Sequence, residues 1–471
     1  MLVTYGKRHM NNINTNTNIE TQKRVFRFVS SVVLVAVLAT LFGVMWYMRF
    51  QMLMLYRFLS VGNYLMIGLY VVLIVLVINT FKGFSIGSGR ISILCMSQAI
   101  AMGLVNVLEF IILLLMTRIK ALMWMTLAYV IVLTAVQAVA LFIVTYGSTK
   151  IYRAIFPPFS ILNIYGEYEN DLVYKMNRRA DKYRITGEMS CNEPLDKIKR
   201  ELENYDAVLI NDVPSEIRND IIKACFATDK RVYFTPKISD ILIKGSDEVN
   251  LFDTPLYLCK NVGMDAISAT IKRVGDIVIS AIGIILTSPI MIITAILIHS
   301  YDGGPVFYKQ TRCTIGGKEY KIMKFRSMIT DAEKDGKARL ASVNDDRITP
   351  IGHFIRATRI DELPQFFNIL KGEMSFVGPR PERPEIIAEY VKEVPEFAFR
   401  THVKAGLTGY AQVYGKYNTT SYDKLKLDMI YCEKCSVLLD IQLILMTLRV
   451  IFTKDATEGV AEGETNANVG K

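Results

Sequence analysis

Two acids stand side by side at Asp361 and Glu362, in the segment IRATRIDELPQFFNILKGEMSFVGPRPERPE, with Arg356 and Arg359 before them and Arg380 and Arg383 after. An arginine fork matches phosphate oxygens in a planar, two-bond geometry. Adjacent carboxylates among such arginines suit a divalent cation, a nucleophile, or one of each. Upstream, KQTRCTIGGKEYKIMKFRSM adds Lys324 and Arg326, which alternate with Met323 and Phe325 and are expected on one face of a strand. Gly316 and Gly317 predict the hairpin turn that leads into it. In VGPRPERPE the prolines stiffen the loop holding Arg380 and Arg383, which lowers the entropy lost when the pair clamps an anion. A solvated basic face would account for the cations alone, but not for the adjacent acids.

The elements that must carry these residues are legible nearby. Pro350 opens a helical pattern through Ile351, Phe354 and Ile355. Asp361 is expected as the N-cap of a second helix with Pro364 in its first turn, apolar positions at Leu363, Phe366, Phe367, Ile369 and Leu370, and a stop at Gly372. Free amides and the positive end of that helix would then favour ionised carboxylates and bound phosphate alike.

Most of what precedes this block is too apolar for an ordinary soluble enzyme. The chain has 471 residues, 51% of them hydrophobic, and a mean hydropathy of +0.27. Stretches from Val25 to Tyr47, Val61 to Thr80, Ile93 to Met116 and Leu122 to Thr145 approach or exceed the roughly 20 residues that cross a bilayer, so residues 25–147 are read as four transmembrane helices. Lys7, Arg8, Lys23 and Arg24 before them, and Lys150, Arg153, Lys175, Arg178 and Arg179 after them, place both flanks in the cytoplasm. The net charge of +10 points to an anionic lipid surface rather than to nucleic acid. Seven scattered cysteines form no disulfide framework, and the CxxC of Cys432 and Cys435 has no second pair or histidine beside it, so it is read as structural.

Residues 1–24 are polar and expected to be flexible. Across 158–260, short apolar runs alternate with charged helical stretches, predicting a Rossmann-like α/β domain with a parallel sheet. The glycine-rich phosphate turn of a dinucleotide fold is missing, since ILNIYGEYEN offers only Gly166, and an oligomerising or regulatory role is favoured over a cofactor site. Residues 272–298, KRVGDIVISAIGIILTSPIMIITAILI, are long enough for a fifth span but carry Pro289 at the middle, where proline removes a backbone hydrogen bond. Ser288 beside it could satisfy the freed carbonyl. Periodicity leaves a kinked spanning helix and a re-entrant one equally open. Ser436 to Phe452 carries Asp440, Gln442 and Arg449 and is expected as an interfacial helix, and the tail, 456–471, as loose.

Taken together, KRVGDIVIS with its Ser-Pro break, GGPVFYKQTR, KIMKFRSM, DELPQFFNILKGEMSFVGPRPERPE and GLTGYAQV closely resemble the catalytic domain of the bacterial sugar transferases, the monotopic polyprenyl-phosphate phosphoglycosyl transferases. The resemblance covers about 268–455, and the four spans and α/β domain before it resemble the long-form members that prime exopolysaccharide, capsule or O-antigen synthesis. It implies an α+β monotopic catalytic domain and transfer of a sugar 1-phosphate, a hexose 1-phosphate being favoured, from a UDP-sugar to undecaprenyl phosphate with release of UMP. Asp361 would form a covalent phosphosugar ester and Glu362 would help hold Mg²⁺. Arg356, Arg380 and Lys324 match phosphate-engaging or basic active-site positions, with Arg326 and Arg383 beside them. Ser288 and Pro289 match the family's helix break, which implies re-entry and keeps the catalytic domain on the cytoplasmic face of the membrane. A homodimer is a further expectation. Ala405 and Tyr410 stand where relatives commonly have Pro and Trp. Two alternatives stay open: a ternary-complex transferase with both acids as metal ligands, and a membrane scaffold within a polysaccharide assembly.

Overall fold

Long apolar runs without internal proline have one low-energy solution in a bilayer, the α-helix, because it satisfies every backbone group within the segment. The computed structural model describes residues 2–54, 60–87, 89–117, 122–166, 170–260, 263–330, 347–415 and 419–451; the tail expected to be loose, 456–471, lies outside them. Among the described residues, five helices are long and apolar enough to cross a membrane: Ile19–Leu53, Val61–Thr80, Ile91–Met116, Met123–Ile155 and Ala266–Asp302. The chain is a multi-pass membrane protein. The first helix runs back to Leu2, through the polar residues expected to be flexible, which contain no proline to stop it.

The chain divides into two units, Met1–Thr235 and Pro236–Lys471. In the first, the four amino-terminal helices turn apolar side chains such as Val72, Leu76, Val132 and Val139 outward and tie themselves together through buried polar groups. Tyr70 donates to Asn106 Oδ1 at 2.7 Å, Asn106 donates to Gln137 Oε1 at 2.9 Å, and Thr145 donates to Gln98 Oε1 at 2.8 Å. Where no water is at hand, such groups must pair with each other. The same unit holds strands β1 (Phe159–Tyr165), β2 (Tyr183–Ser190), β3 (Ala207–Asn211) and β4 (Arg231–Phe234) in a parallel sheet of order β2-β1-β3-β4. Helices Leu195–Leu202 and Ser215–Ala227 cover the face of Leu162, Ile164, Val208 and Ile210, and Met176 of the helix Leu172–Asn177 packs on the other. Gly166, the lone glycine after β1, is needed for packing: a Cβ there would stand 2.2 Å from the Asp212 carbonyl oxygen.

The sheet ends at Phe234, and the following helix, Ile238–Gly245, belongs to the second unit. It buries Ile238 and Ile241 against Phe397, Leu425 and Met429. An exposed hairpin, β5 (Asp247–Leu251) and β6 (Thr254–Leu258), follows. Next comes the helix Ala266–Asp302, capped by Asp265, whose carboxylate accepts from Ser268 N at 2.9 Å. It continues through Pro289. The carbonyl that proline leaves unpaired is that of Ile285, and Ser288 Oγ donates to it at 2.8 Å.

One side of this helix is apolar and exposed, with Ile271, Val274, Ile285 and Ile293 among its side chains. The other side stays on the second unit from end to end. Arg273 donates to the Ile369 and Leu370 carbonyls at 2.7 and 2.8 Å, and Asp276 accepts from Phe376 N at 3.0 Å. A Cβ at Gly283 would lie 2.8 Å from the Phe366 ring, and Met291 and Ile298, beyond the proline, share a core with Phe325 and Ile355. Each large side chain buried this way contributes about 1.5–3 kcal/mol.

The closing helix, Val437–Ile451, differs from expectation at Asp440. That acid does not face the interface: it is buried, ion-paired with Lys272, and accepts from the Tyr431 hydroxyl at 2.7 Å. Burial is tolerable because both partners satisfy it. Leu438, Ile441 and Leu448 remain exposed along one face, and the Arg449 side chain lies outside the described residues.

Candidate active site

The hairpin of β7 (Phe307–Cys313) and β8 (Glu319–Phe325) turns through Gly316 and Gly317, both at positive φ as their pairing predicted. It places Lys324 opposite Tyr308. Asn368 fixes the other edge of β8: its side chain donates to the Lys321 carbonyl and accepts from Met323 N, each at 2.9 Å. In effect Asn368 imitates a neighbouring strand, and nothing in its sequence context announced that role.

Asp361 does not cap a helix. The helix Pro350–Ala357 is followed by Arg359 in the left-handed region, at φ 60°. The chain then passes through a tight turn, Ile360–Glu362, and the next helix begins only at Gln365, with Pro364 at its N-cap. It stops as expected at Gly372, φ 86°. Amides 362 and 363 are used inside the turn, bonding the carbonyls of Arg359 and Ile360. The carboxylate pair is therefore governed by side-chain charge rather than by a helix end.

Glu362 accepts from Lys324 Nζ at 2.9 Å and from Arg380 at 3.3 Å. Burial alone would raise its carboxyl, but the charges of Lys324 and Arg380 outweigh that and hold it far below the usual carboxylate range. Asp361 is buried, with Oδ1 unbonded among the described residues. Burial first, and the Glu362 charge second, push the Asp361 carboxyl above the usual range, against the pull of Lys324, Arg359 and Arg356. Two adjacent acids are thus differentiated: one clamped by cations and held ionised, the other buried with one oxygen unbonded among the described residues.

The structure brings Lys324, Asp361, Glu362 and Arg380 together, with Arg356 in the last turn of its helix near enough to act on Asp361. Arg326 goes elsewhere. It lies just past β8 and pairs with Asp302 at the end of the long helix, over Gly304, where a Cβ would meet its guanidinium at 2.2 Å. Arg383 stands at the N-cap of the helix Pro384–Glu393. Ala405 donates its N–H to Thr314 Oγ1 at 3.1 Å, a bond that the proline expected from the resemblance could not make. The loop 378–382 is anchored through its Glu382 to Arg312, Arg400 and Lys424, with Asp428 behind Arg400, of which Arg400 and Asp428 are spaced too irregularly for the sequence to reveal.

A hairpin cation, a paired-acid turn and a proline-stiffened arginine loop thus meet in the unit that carries the long apolar helix, an arrangement of charge able to take up phosphate oxygens. The chain belongs to the bacterial sugar transferase family, which its residues 267–454 match. It is 35% identical over 273 residues to the UDP-N-acetylgalactosamine-undecaprenyl-phosphate N-acetylgalactosaminephosphotransferase of Aeromonas hydrophila, covering 55% of this chain and 62% of that one. It is 32% identical over 298 residues to the UDP-glucose:undecaprenyl-phosphate glucose-1-phosphate transferase of Klebsiella pneumoniae, covering 62% of each. A protein of that same name from Caulobacter vibrioides is 36% identical over 190 residues, 39% of this chain and 70% of the other. The chain thus spans less than two thirds of the length of the Aeromonas and Klebsiella relatives.

Proposed function

We propose that the protein transfers a sugar 1-phosphate from a UDP-sugar to undecaprenyl phosphate, releasing UMP, as the priming step of exopolysaccharide, capsule or O-antigen synthesis. The observation that carries this reading is the unequal acid pair: Glu362 is clamped by Lys324 and Arg380, while Asp361 keeps a buried oxygen without a partner among the described residues.

In the first step an Asp361 carboxylate oxygen attacks the sugar-bearing phosphorus. The bond from that phosphorus to the bridging oxygen breaks and its electron pair leaves with UMP. The aspartyl phosphosugar is then attacked at the same phosphorus by a phosphate oxygen of undecaprenyl phosphate, which returns the carboxylate to Asp361 and forms the lipid diphosphosugar. A carboxylate is a weak nucleophile, so the phosphate oxygens must be neutralised, and Lys324, Arg356 and Arg380 are placed to do so.

The residues also fit Mg²⁺. That ion takes one or two carboxylates plus substrate phosphates, so Glu362 would help hold it against the phosphates of the donor, leaving Asp361 to attack; in the ternary-complex reading both acids would be its ligands. When bound, the ion would polarise the phosphoryl oxygens. Release of UMP from UDP-sugar and enzyme with no lipid acceptor, in amounts stoichiometric with enzyme, is the expected result. UMP appearing only when lipid phosphate is added would establish the ternary-complex reading instead.

The long helix is proposed to enter one leaflet and return, leaving the site in the cytoplasm. What supports this is that the second unit touches the helix from Lys272 to Asp302, on both sides of Pro289. Cysteines introduced before residue 272 and after residue 300 are expected to react with an impermeant maleimide from the same side of the membrane; opposite sidedness would overturn re-entry. The Rossmann-like module is proposed to support a homodimer, with exposed Phe226 and Tyr174 as apolar surface. A hexose donor is favoured, and the relatives named for glucose and for N-acetylgalactosamine set the panel to be tried.

A further inference from the structure

The loop that brings Arg380 to Glu362 has four successive carbonyls, and each accepts a hydrogen bond. Pro379 O takes one from Gly406 N at 2.9 Å and Glu382 O one from Cys313 N at 3.0 Å. The two between are held by side chains: Arg380 O by Arg400 Nη2 at 2.8 Å, and Pro381 O by Arg312 Nη1 at 3.1 Å. Pro379 and Pro381 have no N–H to contribute, so these carbonyls are the loop's main means of attachment.

Both guanidinium groups are themselves fixed by acids. Arg400, 3% exposed, meets Asp428 at 2.8 Å, and Glu382 faces Arg400 at 3.7 Å, Arg312 at 3.6 Å and Lys424 at 2.6 Å. We infer that Arg400 and Arg312 are positioning residues, which set the reach of Arg380 toward the reacting phosphate by holding the backbone carbonyls on and beside it. Neither touches the acid pair. A planar fork can bond a carbonyl and a carboxylate in one fixed arrangement, whereas lysine keeps the charge and loses the geometry. A displacement of about 1 Å in a charge-stabilising group can cost about 100-fold in rate.

The inference rests on Arg380 engaging substrate phosphate, so the test separates the two. Full-length protein in lipid nanodiscs is assayed with undecaprenyl phosphate and UDP-glucose or UDP-N-acetylgalactosamine as wild type, Arg380→Lys, Arg400→Lys and the double variant. Arg400→Lys is expected to lower kcat/KM about tenfold or more, mainly in kcat, and to lower it little further when Arg380 is already Lys. Equal losses in both backgrounds would overturn the positioning role and leave the phosphate role of Arg380 standing. An Arg380→Lys enzyme as active as wild type would overturn that phosphate role and the inference with it. Should Arg400→Lys fail to fold, Arg312→Lys, at a more exposed position, carries the same cycle.

Discussion

Asp361→Asn is expected to abolish turnover, with kcat down about 10⁴-fold or more, equivalent to about 5 kcal/mol of barrier, because the amide keeps the shape but cannot attack phosphorus. Mass spectrometry provides the direct reading. Wild-type protein incubated with Mg²⁺ and a UDP-sugar, without lipid, should gain a sugar-phosphate mass on the peptide containing Asp361, and the variant should gain none. An adduct of the same size in the variant would remove Asp361 from the role of nucleophile. The pH dependence carries a second signature. The Asp361 carboxyl is raised by burial and by its neighbour's charge, and the protonated acid does not attack. The kcat/KM should therefore rise with pH through a value above that of an ordinary aspartate. In Glu362→Gln the second cause is gone, so the acid limb should move to lower pH even as the maximal rate falls.

Glu382→Gln is expected to cost about 3–5 kcal/mol of stability, read as a large drop in thermal unfolding temperature in detergent at neutral pH. The reason is the company it leaves behind: Arg312, Arg400 and Lys424 all face this one acid, and its removal takes the shared acid from all three, leaving the buried Arg400 with the Asp428 carboxylate alone. Burial would raise the Glu382 carboxyl, but Lys424 and Arg400 hold it down to about 2. A depressed folded-state value means that the stabilisation is fully present above the unfolded value, about 4.3, and disappears as pH falls from there toward about 2. The gap between wild type and variant should narrow over that window. A variant as stable as wild type at neutral pH would show that the three cations find other partners.

What the sequence determined by itself is what local chemistry decides. Four apolar runs had to be helices, Gly316 and Gly317 had to turn a hairpin, Gly372 had to end a helix, and Ser288 was free to serve the carbonyl released by Pro289. The parallel sheet of 159–234 was legible from alternating apolar and helical texture, and the acid pair with its arginines from their order along the chain. Tertiary structure decided which charges meet. Arg326 sits two residues from Lys324, yet Lys324 pairs with Glu362 while Arg326 pairs with Asp302, because the strand ends between them. Asp440 resembled an interfacial acid until Lys272, 168 residues away, came to it. The turn that places Asp361 replaced the expected cap because Pro364, not Asp361, stands at the start of the helix. Ion pairs and carbonyl clamps between distant segments leave no period in the chain, since their partners are selected by packing geometry that only the folded backbone supplies.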